Sequence, residues 1–205
     1  TEAHGGLGMT ALDFVLLAQE CGYVALPEPL VHTALVAVPM LQDIGGELAA
    51  QWLPQVAAGE AKVIVGLQQN LVVEDAHVAE GDILMAATPQ QVRLQHNASI
   101  DPSRKLFSVA VQPGATTVAS GARAAALLAD ALNRGALGCA AQALGLTQRM
   151  IDLSVKYTSE RQQFGKPIGT FQAVKHHMAN VAVRLEYAKA PTHRAAYAVA
   201  QGQAL

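Results

Sequence analysis

Along the C-terminal third of the chain, apolar positions recur at helical spacing on either side of a polar interruption. Phe171, Val174, Met178, Val181, Leu185 and Ala188 follow one another at alternating steps of three and four. Leu137, Ala141, Leu144, Ile151 and Val155 mark a second stripe, interrupted by Gln148. Each pattern predicts a helix with one buried face. Between them lies Tyr-Thr-Ser-Glu-Arg-Gln-Gln-Phe-Gly-Lys-Pro-Ile-Gly-Thr, residues 157–170, in which Gly165 permits a turn and Pro167 forbids simple continuation. The spacing predicts long antiparallel helices over 137–157 and 171–188, joined at Gly165 to Gly169, with the first helix ending near Phe164. Pro191 is expected to kink or loosen the second helix, because its ring removes one hydrogen bond. The small faces at Ala195, Ala196, Val199 and Ala200 are expected to stay exposed and to pack on another subunit.

Upstream the period changes twice. Thr10 is placed to cap a helix whose apolar face uses Leu12, Val15, Leu16 and Ala18 or Gln19, and Pro27 and Pro29 end that segment. A second helix follows over about 31–41 and a short third over 46–56. From about 61 to 120 the pattern becomes short β-branched runs, at 62–65, 71–73, 83–85, 92–94 and 107–111, separated by turn-rich pieces. These predict a small, mostly antiparallel β-domain of five or six strands. From about Ala122 the chain is helical again. The small residues Gly135, Ala136, Gly138, Ala140 and Ala141 suit either close packing or room for a bound chain, and close packing is the simpler reading.

Composition narrows the class. The 205 residues are half apolar and 15% charged, which is globular, and a formal charge of −2 gives no electrostatic case for nucleic acid or a phospholipid surface. No apolar run is long enough to span a bilayer, and no basic-then-apolar leader opens the chain. Cys21 and Cys139 stand in apolar helical contexts and read as buried free thiols, consistent with a reducing cytoplasm.

Candidate chemistry concentrates at the polar interruption. Arg161 offers a permanently charged fork, and Gln163 and Gln172 offer amide donors and acceptors. On spacing alone this corner is a solvated connection between helices. The opening Gly-Gly-Leu-Gly is no dinucleotide fingerprint, because no strand precedes it. His176 and His177 are adjacent on a helix and diverge, so they make no metal pair. Asp152, Lys156, Glu186 and His193 read as helix-surface charges.

The literal residues carry more. Arg-Gln-Gln-Phe-Gly-Lys-Pro-Ile from Arg161, then Phe-Gln-Ala, then a helix with Leu-Glu-Tyr-Ala, resembles the acyl-CoA dehydrogenase family. Leu-Gly-Leu-Thr-Gln-Arg from Leu144 is also family-like. The resemblance implies an α+β, mainly α fold: an N-terminal helical domain (1–58), a small antiparallel β-domain (59–121) and a C-terminal helical bundle (122–205), the first and last incomplete here. It implies that Arg161, Gln163, Phe164 and Gln172 contact FAD, commonly a flavin held mainly by a neighbouring subunit. It further implies an acyl-CoA substrate, a homo- or hetero-oligomer, an electron-transfer acceptor protein and a cytoplasmic setting.

The chain departs from the family pattern in the β-domain, which is short and lacks both the Thr-Glu-Pro stretch with its Gly-Ser pair and a Trp-Ile-Ser or Trp-Ile-Thr segment. The shortening resembles members that assemble with a second, different subunit and act on bulky acyl groups such as steroid side chains. The family's base is a carboxylate, and by that alignment one of its positions falls on Gly135, with Asp130 the nearest acid upstream. No catalytic base is assigned within these residues. The implied activity is FAD-dependent α,β-dehydrogenation of an acyl-CoA thioester. The alternatives are a non-catalytic partner subunit completing a neighbour's flavin site and a helical interaction module without flavin.

Overall fold

The computed structural model describes residues 2–66, 83–103 and 105–203. They form two compact units. The first comprises Thr1–Gly8 and Pro27–Gly135, the second Met9–Leu26 and Ala136–Leu205.

In the first unit, Val31–Ala37 coil as a π-helix that runs into α2, Val38–Ile44. The widened turn has a local cause. Pro39 has no N–H to return to Leu35, and the Val38 N–H reaches back five residues to the Thr33 carbonyl. Gly45, at φ 69°, ends α2 and starts α3, Gly46–Ala57. The Arg123 guanidinium donates to the carbonyls of Asp43 and Ile44, both at 3.3 Å, and so satisfies the end of α2. Val36, Met40 and Ala131 form one buried cluster, with Ile44, Leu84, Leu127 and Leu128 against it. Leu41, Ala49 and Leu53 form another, into which Trp52 and Val63 pack.

The β region holds four described strands in two antiparallel pairs. β1, Ile83–Ala86, pairs with β4, Thr116–Ser120, through an irregularity at Leu84/Met85. β2, Val92–Asn97, pairs with β3, Leu106–Val111, in the register Val92↔Val111 to Asn97↔Leu106. The run at 62–65, expected as a strand, lies in no ladder among the described residues, and 71–73 fall outside them. β4 was not anticipated by the run pattern. Its Thr-Thr-Val is too short to stand out alone, and it becomes a strand by pairing with β1.

The second unit contains α1, Ala11–Tyr23, the C-terminal part of α4, Gly121–Glu160, and α5, Gln172–Ala200. Thr10 starts α1 as expected: its backbone N–H and its hydroxyl both donate to the Asp13 carboxylate at 2.8 Å. The buried face differs from the expected one. It is Ala11, Val15, Ala18 and Gly22, while Leu12 and Leu16 are exposed. Close approach explains the choice. A Cβ on Gly22 would sit 2.0 Å from the Gln142 carbonyl oxygen, and one on Gly145 would sit 1.8 Å from that of Gln19. The two helices cross almost backbone to backbone, and leucines would hold them apart.

Leu137, Ala141 and Leu144 of α4 are buried as expected, Ile151 is half-buried, and Val155 is exposed. On α5 the inward stripe starts as expected at Phe171, Val174 and Met178, passes Val181 for Ala182, and continues through Leu185, Thr192, Ala196 and Val199. Ala196 and Val199 are buried and Ala195 and Ala200 are half-buried, which overturns the expectation that this face is left open. α1 lies alongside α5 here, and Gln19 Nε2 meets His193 Nε2 at 2.8 Å. Helical structure runs unbroken through Pro191, and the Thr192 hydroxyl donates to the Ala188 carbonyl at 2.9 Å. Cys139 is exposed and Cys21 half-buried, so the thiols are free but are not the buried pair expected. Neither is within a helix long and apolar enough to cross a membrane; none exists among the described residues.

Candidate functional site

The corner between α4 and α5 is a built turn. α4 ends at Glu160, not near Phe164 as the pattern suggested, because a miniature hairpin intervenes. β5, Gln162–Gln163, pairs with β6, Lys166–Pro167. The Ile168 N–H donates to the Arg161 carbonyl at 2.8 Å, closing the hairpin at its base. Phe164 and Gly165 are its two loop residues, with φ 55° and 76°. Positive φ at both loop residues is the type I′ arrangement, one of the two that match strand twist. Gly165 adopts this freely, whereas a phenylalanine there carries a backbone cost of about 1–2 kcal/mol.

The surroundings hold the corner in place. Thr158 makes a 3.7 Å contact from its hydroxyl to the Met178 sulfur, joining α4 to α5. Gly169 fits against the Thr158 carbonyl, where a Cβ would come within 3.0 Å. The Thr170 hydroxyl donates to the Pro167 carbonyl at 2.7 Å. Phe171 is the residue before α5. Its ring meets Phe164 edge-on at 6.1 Å and carries the Lys166 ammonium over its face at 4.6 Å.

Arg161, Gln163, Phe164 and Gln172 are all brought to this corner, and all are exposed, Phe164 by 90%. Among the described residues, the side chains of Arg161, Gln163 and Gln172 make no hydrogen bond or ion pair within the chain. The arrangement therefore presents a fixed cation, two amides and a ring face outward, a set of groups suited to a large ligand with anionic and aromatic parts.

Other candidates are spoken for. Asp152 is more than a surface charge: Tyr23 Oη donates to one carboxylate oxygen at 2.8 Å and Gln148 Nε2 to the other at 2.9 Å. Those donors, Gln148 first and Tyr23 next, with a lesser pull from Arg149, hold its pKa below the usual value. Arg149 in turn stacks over the Tyr23 ring at 5.2 Å. The partner Tyr23 lies 129 residues upstream, so no local pattern could have found this cluster. Asp130 is paired with Arg134 at 2.5 Å. Gly135 faces Val36, which a Cβ would meet at an ordinary 3.8 Å. His176 and His177 are exposed, and no metal-binding cluster exists among the described residues.

Comparison with known proteins fixes the class. Residues 124–205 match the model of the acyl-CoA dehydrogenase C-terminal domain, and residues 1–60 that of the N-terminal domain. The chain belongs to the acyl-CoA dehydrogenase family. It is similar to acyl-CoA dehydrogenase IpdE2 of Mycolicibacterium smegmatis, 33% identical over 198 residues covering 94% of this chain and 59% of the relative. It is equally similar to IpdE2 of Mycobacterium tuberculosis, 33% identical over 209 residues covering 96% and 60%. The chain thus spans about three fifths of these relatives' length.

Solved structures share the fold. A variant of the Tcur3481-Tcur3483 steroid ACAD superposes with a TM-score of 0.78 at 22% identity, covering 98% of this chain and 64% of that one. A glutaryl-CoA dehydrogenase from Mycobacterium smegmatis in complex with FADH2 gives 0.76 at 16%, covering 98% and 64%. The ChsE4-ChsE5 complex from Mycobacterium tuberculosis gives 0.72 at 21%, covering 98% and 64%.

Proposed function

We propose that this chain serves an FAD-dependent acyl-CoA dehydrogenase, as a subunit whose corner residues Arg161, Gln163, Phe164 and Gln172 contact FAD held mainly by a neighbouring subunit. One observation carries the reading: Arg161, Gln163 and Gln172 stand exposed at a built turn with no hydrogen-bond or ion-pair partner among the described residues, beside the exposed ring of Phe164. That set fits the group. Arg161 would pair with a pyrophosphate oxygen, Gln163 and Gln172 would hydrogen-bond polar edges, and Phe164 would cover an aromatic face. FAD, when bound, supplies the acceptor for a hydride from the β-carbon of an acyl-CoA thioester.

The α-proton must leave to a carboxylate. Gly135 has no side chain and Asp130 is committed to Arg134, so this base comes from outside these residues. The same observation favours a second reading, a non-catalytic subunit that completes its partner's flavin site. The relatives' names support a heteromer: one of the similar structures is a complex of two differently named chains. An acyl-CoA substrate, an electron-accepting protein partner and a cytoplasmic setting complete the reading.

Fluorescence titration of FAD tests it. Arg161→Ala removes a charge-assisted contact of about 1.5–3 kcal/mol, which is a tenfold to hundredfold loss of affinity. Arg161→Lys recovers only part, since an ammonium cannot reproduce the planar fork. Unchanged affinity in Arg161→Ala would remove the corner from the flavin site. Rapid dye-linked oxidation of acyl-CoA by the chain alone would put a base inside it, overturning both the non-catalytic reading and the assignment of the base to residues outside.

A further inference from the structure

Phe171 is rooted on both sides of its own backbone. Its N–H donates to the Ile168 carbonyl at 3.2 Å, and its carbonyl accepts the Lys175 N–H at 3.1 Å, the opening hydrogen bond of α5. A ring on a fixed root keeps only its side-chain torsions, and two contacts hold them. Phe164 meets the ring at 89° with centroids 6.1 Å apart, and the Lys166 ammonium stands 4.6 Å from its centroid. The ring quadrupole favours both contacts, the cation over the face and the second ring at right angles.

Phe164 has no such root. It stands in the loop of the miniature hairpin at φ 55°, it is 90% exposed, and among the described residues its one ring contact is Phe171. The pose of this exposed ring therefore follows the pose of Phe171. Lys166 is placed to set that pose. It lies opposite Gln163 in the β5–β6 ladder, so the hairpin that displays Phe164 also fixes the lysine backbone. Among the described residues its ammonium makes no hydrogen bond or ion pair, and the Phe171 ring is what it stacks on.

We propose that Lys166 is a positioning residue of this corner: its ammonium holds the Phe171 ring, and that ring holds Phe164 in the pose offered to the flavin. Lys166 acts through Phe171 and makes no contact with the flavin itself. The inference rests on the reading that the corner meets FAD, and it adds a residue outside the set Arg161, Gln163, Phe164 and Gln172.

Two readouts test it, the first without flavin. The chain has four phenylalanines, so NMR of the full chain with isotope-labelled phenylalanine rings gives four ring systems, and Phe164→Leu identifies one of them. Lys166→Met keeps the reach of the side chain and removes its charge, and it is expected to shift the Phe164 ring signals. Lys166→Arg restores a cation that stacks on rings and is expected to return them toward their parent positions. The second readout is FAD titration. Lys166→Met should weaken binding about two- to fivefold, the size of one exposed cation–π contact, and should have no further effect in a Phe171→Leu background. Phe164 signals indifferent to Lys166→Met overturn the proposal. So does an undiminished loss of affinity in the Phe171→Leu background, since Lys166 would then touch the ligand directly. Arg161→Ala, titrated in parallel, separates the two readings. If it weakens FAD binding and Lys166→Met does not, the brace fails and the flavin site stands; if neither does, the flavin site fails and the brace with it.

Discussion

The crossing of α1 over α4 and the corner between α4 and α5 belong to one compact unit and use opposite means. At the crossing, glycines and alanines let two backbones approach until no Cβ fits at Gly22 or Gly145. At the corner, large side chains are thrown outward from a turn whose backbone is held in an unfavourable region at Phe164. The first arrangement gains close-packed contact by having almost no side chain. The second spends backbone strain to aim groups outward, of which only the Phe164 ring touches a neighbour in the chain, Phe171. Stability and recognition are thus separated within a single helical unit.

Substitution at the crossing sharpens this contrast most. Intrinsic helix propensity favours Gly145→Ala by about 1 kcal/mol. The structure predicts the reverse sign, a loss of about 3 kcal/mol or more, because the new Cβ would lie 1.8 Å from a backbone oxygen that cannot swing away. Urea unfolding decides, and a stabilised variant would break the account of the crossing. The corner should respond in the opposite sense. Phe164→Asn places a residue tolerant of left-handed backbone at φ 55° and is expected to leave stability unchanged or raise it by about 0.5–1 kcal/mol. The same variant should weaken FAD binding; a variant that loses stability and keeps its flavin affinity would reverse the division of roles.

The smallest effect concerns the Tyr23–Asp152–Gln148 cluster. The folded pKa of Asp152 is depressed, so its contribution is present above the unfolded carboxylate value and is lost as pH falls through the folded one. Tyr23→Phe removes one of the two donors. It should lower the melting temperature slightly at neutral pH and flatten the decline in stability on acidification below about pH 4. An acid limb identical to that of the parent chain would assign the depressed pKa to Gln148, with the lesser pull of Arg149.

Much of this was legible from spacing. The paired stripes, the Gly165 turn and the Thr10 start of α1 are all present, because each depends on local backbone preference or on a period. The buried face of α1 was not. Hydrophobicity ranks Leu12 and Leu16 above Ala11, Ala18 and Gly22, whereas the packing partner selects by size. The α5 stripe drifted for a geometric reason: strict alternation of three and four is a 3.5 period, and a 3.6-residue helix slips from Val181 to Ala182 within three turns. The end of α4 at Glu160 was hidden because a two-residue strand has no period to detect. At the corner, residue types pointed to the groups that converge, but only the structure shows that Arg161, Gln163 and Gln172 have no hydrogen-bond partner among the described residues.

Cys139 gives the outer face of α4 a built-in chemical reporter. That face, opposite Leu137, Ala141 and Leu144, carries the exposed Leu146, Met150 and Leu153 below an exposed Cys139 thiol, and Cys21, the chain's other cysteine, is half-buried. Alkylation therefore proceeds faster at Cys139, so one stoichiometric dose of a maleimide marks this face rather than α1. Whatever covers the face shields that sulfur, and the slowing of its reaction becomes a clock for how long the face stays covered.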